Sequence, residues 1–334
     1  MSSVSVSRPV VLTAGSRFDV ILPYVSIARL DHWFKNVFML LGVVLAVFCY
    51  PQTLTWASLG VVAVGLVAAC LVASSNYVLN EILDAATDRH HPVKCHRPIP
   101  AGRVLVMAAY VEWAALGAAG LSIAGSVNRP FFFAAALLWV MGLLYNIPPV
   151  RTKDLPYLDV LSESVNNPIR LLMGWAVINP VEIPPVSLLV AYWMLGAFFM
   201  ASKRFAEYRS IADAARAGDY RRSFRHYSES TLLVCMLFYA VFCGLFLGVF
   251  IIRYHFELIL STPLIAGFFC HYLHVALRPD SPVQHPERLY RDRPLMGYLA
   301  LCMAVFVGLM FVDIPCLGEW LNVAPSPLPS LWRF

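Results

Sequence analysis

The longest stretch without a charged side chain constrains the fold of this chain more than any other feature. No Lys, Arg, Asp or Glu occurs between Lys35 and Glu81. A helix needs about 20 apolar residues to cross the hydrocarbon core of a bilayer, so this stretch is long enough for two crossings. The whole chain is 59% hydrophobic and only 13% charged, with a mean hydropathy of +0.67. We predict an all-α fold, a polytopic membrane bundle of about nine transmembrane helices.

The apolar runs define the predicted spans, of which the fifth is the least hydrophobic. Their boundaries are roughly 32–50, 54–80, 104–125, 130–147, 159–178, 186–206, 229–252, 256–277 and 295–315. Most of the 25 Lys and Arg residues collect in the loops on one side. Because basic loops tend to stay in the cytoplasm, we expect the N-terminus inside and the C-terminus outside. The prediction is a multi-pass protein of the plasma (inner) membrane with an active site that faces the cytoplasm.

The segments outside the spans are short. We expect an N-terminal tail at 1–30, one membrane domain at 31–316 and a C-terminal tail at 317–334. No cleaved signal peptide is predicted, and residues 18–30 fit an interfacial helix and an unstructured tail equally well. The eight cysteines have neither zinc nor disulfide spacing. The net charge of +5 is explained by basic loops, so nucleic acid is not an expected partner, and the oligomeric state is left open.

Amide and carboxylate side chains recur where the second span ends. Starting from Asn76, the residues Asn80, Asp84 and Asp88 follow at intervals of four. A helix places such residues on one broad face. Oxygen ligands of this kind suit Mg²⁺, which takes few protein ligands and completes its shell with water and substrate phosphates. The pattern predicts a magnesium site at the end of this span.

A basic loop punctuated by prolines follows this face directly. The prolines stiffen the loop and are expected to hold Lys94 and Arg97 near the phosphates of a substrate. His90 and His91 are expected to line the loop rather than to bind metal. The competing interpretation is a helix end with ordinary juxtamembrane charges.

A second polar stripe lies in the fifth predicted span. Asp159, Glu163 and Arg170 share one helical face with Asn166. Ionisable groups within a membrane normally face a polar cavity and serve function. The competing interpretation is an internal salt bridge between Glu163 and Arg170. Lys153, in the preceding loop, is expected to reach a phosphate.

Two further basic elements border the predicted cytoplasmic side. Lys203 and Arg204 end the sixth span, and Tyr227 follows in the next loop. Because Lys203 and Glu207 are an i,i+4 pair, a surface ion pair is an alternative to phosphate binding. Lys35 opens the first span, where snorkelling to the interface and a substrate role are both open.

Acids and cations gathered at one membrane face favour a reaction that releases diphosphate. A metal ion with Lys and Arg side chains neutralises the charge that develops on such a leaving group. The carbon left behind must tolerate positive charge, as an allylic carbon or the anomeric carbon of ribose does. The pattern therefore indicates the leaving group and leaves the electrophile open.

Over residues 28–310 the chain resembles the UbiA superfamily of intramembrane prenyltransferases. The first Asp-rich motif of that superfamily, NDxxDxxxD, is matched by Asn80, Glu81, Asp84 and Asp88. Glu81 departs from the usual Asp, so it is not expected to be a direct ligand. The second acidic motif is matched only loosely, by Asp159 and Glu163. The resemblance implies a nine-helix transferase domain, a Mg²⁺ cofactor and a polyprenyl lipid substrate.

Within the superfamily the chain is most similar to the decaprenyl-phosphate phosphoribosyltransferase group. The shared elements are WxKN at 33–36, HPxKxxRPIxAG at 91–102, KRxAE at 203–207 and an RxSxxxY-like pattern that ends at Tyr227. The resemblance implies transfer of 5-phosphoribose from phosphoribosyl diphosphate to a polyprenyl phosphate. Two alternatives stay open: prenyl transfer from a prenyl diphosphate to an aromatic or other acceptor, and a cation-coupled transporter.

On the hypothesis of a Mg²⁺-dependent UbiA-type transferase we predict residue roles. The expected metal ligands are Asn80, Asp84 and Asp88, and the expected catalytic residues are Asp84, Asp88 and Asp159. The expected substrate-binding residues are Lys35, Lys94, Arg97, Lys153, Glu163, Arg170, Lys203, Arg204 and Tyr227. Lys94 and Arg97 are assigned to the leaving group. Lys153, Lys203 and Arg204 are expected to bind a second phosphate. Asp159 and Glu163 are expected to line the side of the site that holds the acceptor or a second metal ion.

Overall fold

The computed structural model describes residues 17–89, 93–211, 218, 221–279, 281–284, 289 and 291–321. Within these ranges the regular structure is entirely helical and no strand occurs. The α-helices are α1 Arg17–Ile27, α2 Met39–Cys49, α3 Trp56–Asp88, α4 Val106–Val127, α5 Arg129–Asn146, α6 Leu158–Ser164, α7 Asn166–Ile178, α8 Val186–Ile211, α9 Glu229–Tyr254, α10 Thr262–Ala276, α11 Arg293–Leu309 and α12 Pro315–Trp320. The 3-10 helices that carry polar residues discussed below are Leu30–Phe38, Lys94–His96, Thr152–Asp154 and Arg222–His226.

Seven helical segments of the described chain are long and apolar enough to cross a membrane. They are Ile21–Cys49, Trp56–Asp88, Val106–Val127, Arg129–Asn146, Val186–Ile211, Glu229–Tyr254 and Phe256–Ala276. These segments correspond to seven of the predicted spans. The ninth predicted span is the shorter apolar helix α11, and the fifth is divided into α6 and α7. The predicted all-α polytopic bundle is confirmed, with nine as an approximate number of crossings.

The division of the fifth span has a local cause. Pro168 lies in the first turn of α7, where a missing N–H is tolerated. Its ring crowds the carbonyl of the residue four positions earlier, Ser164, which is the last residue of α6. Two short helices therefore replace one continuous span, and their polar residues point to different neighbours.

Helix α3 carries the first polar face beyond the apolar layer. It begins with a capping box in which Thr55 and Ser58 exchange side-chain to backbone hydrogen bonds. Its 33 residues make a helix of about 50 Å, whereas the hydrocarbon core is about 30 Å thick. The apolar part ends near Asn76, so the Asn80–Asp88 turns extend past the apolar layer.

Close packing of α2 on α7 brings the first span against the second half of the broken one. A Cβ at Gly42 would overlap the carbonyl oxygen of Leu171, and one at Gly174 would overlap that of Met39. Only glycine permits this approach. The contact is one element of a core shared by α2, α3, α5 and α7, while α8, α9, α10 and α11 share a second core. Helix α6 packs between them, against α5 and α8.

Helix α1 falls inside the predicted N-terminal tail, and α12 spans the predicted start of the C-terminal tail. The domain boundaries at residues 30 and 316 stay predictions.

Candidate active site

Asp84, near the end of α3, contacts two cations from the loop after α5. Its Oδ1 lies 2.6 Å from the Lys153 ammonium and 2.8 Å from the Arg151 guanidinium. Its Oδ2 accepts a hydrogen bond from the Asn80 amide at 3.1 Å. Arg151 also contacts Asp154 at 3.0 Å, which holds the loop against α3. Asp84 is thus the meeting point of α3 and this loop.

Asn146, the last residue of α5, fixes the orientation of its polar neighbours. Its Oδ1 accepts from the Lys153 ammonium at 2.8 Å and from the Asn80 amide at 2.6 Å, and its Nδ2 donates to the carbonyl of Gly142. An ammonium only donates, so the atom of Asn146 that faces Lys153 must be the oxygen. The atom of Asn80 that faces this oxygen must then be nitrogen. The Asn80 Oδ1 is turned away and accepts no hydrogen bond within the described chain.

Asp88 contacts the basic loop that follows α3. Arg97 lies 2.7 Å from its Oδ2 and Lys94 lies 3.9 Å from its Oδ1. Glu81 holds the same loop from one side, because its Oε1 accepts the backbone N–H of Ile99 at 3.1 Å. This contact explains why Glu81 is buried and does not point at the other carboxylates. His90, His91 and Pro92 lie outside the described residues.

Burial weakens the basicity of the loop lysines. It lowers the pKa of Lys153 to about 8, although the adjacent Asp84 carboxylate acts in the opposite direction. Burial also lowers the pKa of Lys94, and Asp88 acts in the opposite direction. An additional anion beside these ammonium groups would favour their charged forms.

The second acidic stripe is held by Arg204 of α8. The guanidinium lies 2.8 Å from Glu163, 3.1 Å from Glu207 and 3.4 Å from Asp159, and the residue is only 2% exposed. We expected Arg204 to bind a phosphate, but the structure surrounds it with carboxylates. A buried guanidinium is attracted to ionised acids; its two terminal nitrogens donate to Glu207 and Glu163, and Asp159 lies within ion-pair distance of its Nε.

We call Asp84 and Asp88 with their contacting side chains the first cluster, and Arg204 with its three acids the second cluster. Asp159 belongs to the second cluster. It is fully buried and accepts hydrogen bonds from Ser223 at 3.1 Å and from Tyr227 at 2.8 Å. The Asp159 carboxylate raises the pKa of Tyr227, adding to the larger effect of burial. Asp159 and Tyr227 were expected to face a substrate. Both side chains are buried and contact each other, so neither lines an open surface.

The alternative of a Glu163–Arg170 salt bridge was wrong. Glu163 contacts Arg204 and accepts a hydrogen bond from Tyr145 at 3.0 Å. Arg170 instead donates to the Asn36 side chain at 2.9 Å and to the Asn166 carbonyl at 3.2 Å. The break between α6 and α7 separates the two residues that one continuous helix would have aligned.

Tyr145 connects the two clusters. Its hydroxyl contacts Glu163, and its ring centroid lies 5.9 Å from the Lys153 ammonium. Arg221 donates to the same hydroxyl at 3.4 Å. At the edge of the second cluster Lys203 lies 3.9 Å from Glu207, which is the ion pair considered as an alternative. The clusters are adjacent, although only the first contains Asp84 and Asp88.

Sequence reasoning missed Arg151 and Asn146 as contributors to this region, and it named Arg221 only as one of two candidates, with Arg222, for the first residue of the RxSxxxY-like pattern. Each of these three residues has a partner more than fifty residues away: Asp84 for Arg151, Asn80 for Asn146 and Tyr145 for Arg221. One signal was present for the first two, since both flank the Pro-Pro loop between the fourth span and Lys153. A polar residue at the end of an apolar span is a candidate for a functional site.

The first cluster fits a magnesium ion. Within the described residues no three His, Cys, Asp or Glu side chains converge on one point, because Asp84 and Asp88 each face cations. Mg²⁺ needs few protein ligands when phosphates supply the others. Two carboxylates and the unengaged Oδ1 of Asn80 are a suitable oxygen set on consecutive turns of one helix.

Comparisons with known proteins agree with the fold and with the resemblance to the UbiA superfamily. The model of the UbiA prenyltransferase family matches residues 32–291. The decaprenyl-phosphate phosphoribosyltransferase of Mycolicibacterium smegmatis is 30% identical over 237 residues, 70% of this chain and 71% of that protein. The enzyme of the same name from Corynebacterium glutamicum is 35% identical over 152 residues, 44% of this chain and 43% of that protein.

A solved structure has the same fold. The UbiA homologue from Archaeoglobus fulgidus, solved with GPP and Mg²⁺ bound, superposes with a TM-score of 0.65 at 20% identity. The match covers 87% of this chain and 100% of that one. It confirms the predicted helical architecture.

Proposed function

Because the chain belongs to the UbiA prenyltransferase family, we propose that it is a Mg²⁺-dependent membrane enzyme that moves 5-phosphoribose from phosphoribosyl diphosphate to a polyprenyl phosphate. Membership of the family makes the chain a UbiA-type transferase and an integral multi-pass membrane protein, and so favours transfer chemistry over a cation-coupled transporter. The two named bacterial relatives support the phosphoribosyl version of this chemistry.

The observation that carries the proposal is the excess of cations at the first cluster. Four basic side chains contact three carboxylates: Lys153 and Arg151 at Asp84, Arg151 again at Asp154, and Arg97 and Lys94 at Asp88. Phosphoribosyl diphosphate brings a diphosphate and a 5-phosphate, and the lipid acceptor brings a third phosphate. A prenyl diphosphate that meets an aromatic acid brings fewer negative charges and needs fewer cations.

Each side chain of the first cluster has a role in this reaction. Asp84, Asp88 and the Asn80 Oδ1 would hold Mg²⁺, which would neutralise charge on the departing diphosphate. Lys94 and Arg97 turn from Asp88 to the diphosphate and donate to its oxygens. Lys153 and Arg151 do the same from the opposite side, and Asn146 keeps the Lys153 ammonium directed into the cluster.

The bond changes are simple. An oxygen of the acceptor phosphate forms a bond to C1 of the ribose, and the bond from C1 to the diphosphate oxygen breaks. The electron pair of that bond leaves with the diphosphate. The acceptor is already anionic, so no side chain has to remove a proton from it. The enzyme contributes positioning and charge neutralisation.

We place this chemistry on the cytoplasmic side of the plasma (inner) membrane. The proposal rests on the basic side chains Lys94, Arg97, Arg151 and Lys153, which contact Asp84 and Asp88, and on Arg222, which contacts Asp154 in the same loop as Lys153. Water-soluble phosphoribosyl diphosphate reaches this side directly, while the polyprenyl phosphate arrives through the bilayer.

A donor comparison tests the proposal. Purified protein in liposomes is incubated with Mg²⁺ and either labelled phosphoribosyl diphosphate plus polyprenyl phosphate or labelled geranyl diphosphate plus an aromatic acid. We expect label in the lipid fraction with the first pair. Label transferred only with the second pair would replace this proposal with prenyl transfer.

A further inference from the structure

Arg170 is a buried guanidinium without an acidic partner. It is 8% exposed, and among the salt bridges of the described residues none involves it. Its two hydrogen bonds go to neutral groups, the Asn36 amide and the Asn166 carbonyl. An unpaired charge inside a protein is costly, and such a group in a membrane bundle normally serves a ligand.

Two further cations lie around Arg170, and the three are called the inner cationic cluster: Arg29, Lys35 and Arg170. Lys35 lies within electrostatic range of both arginines. The Arg29 guanidinium is 5.8 Å from the ring centroid of Tyr77, and Tyr77 is within electrostatic range of Arg170 as well. Close packing of α2 on α7 at Gly42 and Gly174 keeps these elements together.

The acids around this cluster have other partners: Asp31 lies beside His32, and Glu81 accepts the Ile99 backbone N–H. Glu163 is within range of Lys35, but it contacts the Arg204 guanidinium at 2.8 Å and the Tyr145 hydroxyl at 3.0 Å. The Glu163 carboxylate is therefore paired with Arg204 and not with a member of the inner cationic cluster. The inner cationic cluster keeps a local excess of positive charge that a dianionic group would neutralise.

The inner cationic cluster also lies beside an exposed apolar surface that can contact lipid tails. Lys35 lies on the 3-10 helix Leu30–Phe38, whose apolar side chains are exposed: Leu30, Phe34, Val37 and Phe38. In a membrane protein such side chains contact lipid tails. A phosphate attached to a hydrocarbon chain can therefore reach these cations sideways from the bilayer, whereas a free sugar phosphate gains nothing from the apolar surface.

We infer that the inner cationic cluster binds the phosphate monoester of the polyprenyl phosphate acceptor, separately from the diphosphate at Asp84 and Asp88. This inference rests on the proposed function and divides its substrates between two anion sites. A phosphate monoester carries close to two negative charges at neutral pH. Arg170 and Lys35 donate to its oxygens, and the tail lies along the exposed apolar side chains of the Leu30–Phe38 segment.

Thermal unfolding in detergent tests binding without catalysis. Farnesyl phosphate is the probe, farnesol has the same tail without the phosphate, and neither Mg²⁺ nor a donor is present. Farnesyl phosphate should raise the melting temperature of the wild-type protein more than farnesol does. Arg170→Met should abolish the difference. It also leaves the buried Asn36 Oδ1 without its donor, so the free variant should melt at a somewhat lower temperature than the wild-type protein. Lys35→Met provides a second variant if Arg170→Met does not fold.

The matched control is Arg209→Met, which removes a basic side chain from the exposed part of α8 and should keep the phosphate-dependent shift. In steady-state transfer, Arg170→Met should raise the KM for farnesyl phosphate roughly 10- to 100-fold, the equivalent of one lost charge-assisted hydrogen bond. Its KM for phosphoribosyl diphosphate should change less than about twofold.

Two results would overturn the inference: equal stabilisation by farnesol, or a KM increase confined to phosphoribosyl diphosphate. If Arg170→Met does not fold, Lys35→Met has to lose the phosphate-dependent shift, and a retained shift would overturn the inference as well. A wild-type protein that shows the phosphate-dependent shift but transfers no phosphoribose would overturn the proposed function and leave the anion site in place.

Discussion

Asp84 presents one oxygen to two cations and the other to an amide. Lys153 and Arg151 share Oδ1, and Asn80 donates to Oδ2. Neutralising this carboxylate while keeping its shape removes charge from the proposed metal site and leaves its two cationic partners beside each other. Replacing Asp84 with Asn therefore alters three contacts at once, those to Lys153, Arg151 and Asn80.

We expect Asp84→Asn to lower turnover by roughly 10²- to 10³-fold, the cost of losing one well-placed electrostatic group. Transfer kinetics and thermal unfolding are measured on the same preparation, so that lost chemistry is separated from lost structure. Glu319→Gln, at an exposed acid of α12 outside both polar clusters, is the control and should keep normal turnover. Near-normal activity of Asp84→Asn would remove Asp84 from the metal site.

The sequence was informative about residues whose partners are close along the chain. The four-residue spacing of Asn80, Asp84 and Asp88 predicted a shared helix face, because helix geometry alone determines it. The partners Arg151 and Asn146 lie on another element, and their approach depends on how α5 packs against α3. The spacing of residues along one helix does not reveal how two helices pack against each other.

At the scale of elements, Arg204 joins three parts of the chain. Its guanidinium contacts Asp159 and Glu163 of α6 and Glu207 of its own helix. Asp159 in turn holds the Arg222–His226 segment through Ser223 and the adjacent Tyr227. The second polar stripe was predicted as a substrate surface because its acids were visible in the sequence. The cation that matches them comes from a different span, so its position was not predictable from the same pattern.

Arg204→Met should therefore destabilise the fold by about 3–5 kcal/mol, because it leaves buried carboxylates without their partner. Arg209→Met on the same helix removes a more exposed cation and should cost about 0–1 kcal/mol. Denaturant unfolding in one detergent gives both free energies of unfolding. Equal losses for the two variants would show that Arg204 does not hold these elements together.

At the scale of the molecule, the apolar runs predicted most of the bundle correctly. Eight of the nine predicted spans correspond to single apolar helical segments in the described chain, counting the short α11. The fifth differs because Pro168 divides it and because its polar residues turn to interior partners. Hydropathy reports average burial in lipid and carries no information about such a break.

The orientation in the membrane is tested with two cysteines at opposite ends of the bundle. Cys95 lies in the basic loop beside Asp88, and Cys316 is exposed at the start of α12. In variants that retain one of these cysteines, a membrane-impermeant maleimide should label Cys316 on intact cells and Cys95 only after permeabilisation. The reverse result would place the first cluster on the outer side.

The identity of the lipid product tests the central claim most directly. Purified wild-type protein is given Mg²⁺, unlabelled phosphoribosyl diphosphate and a defined polyprenyl phosphate, and the lipid fraction is analysed by chromatography and mass spectrometry, with Asp84→Asn as the inactive reference. We predict a polyprenyl phosphate that has gained one phosphoribosyl group, with one diphosphate released per product. An unmodified lipid in the presence of a folded, magnesium-supplied protein would contradict the account.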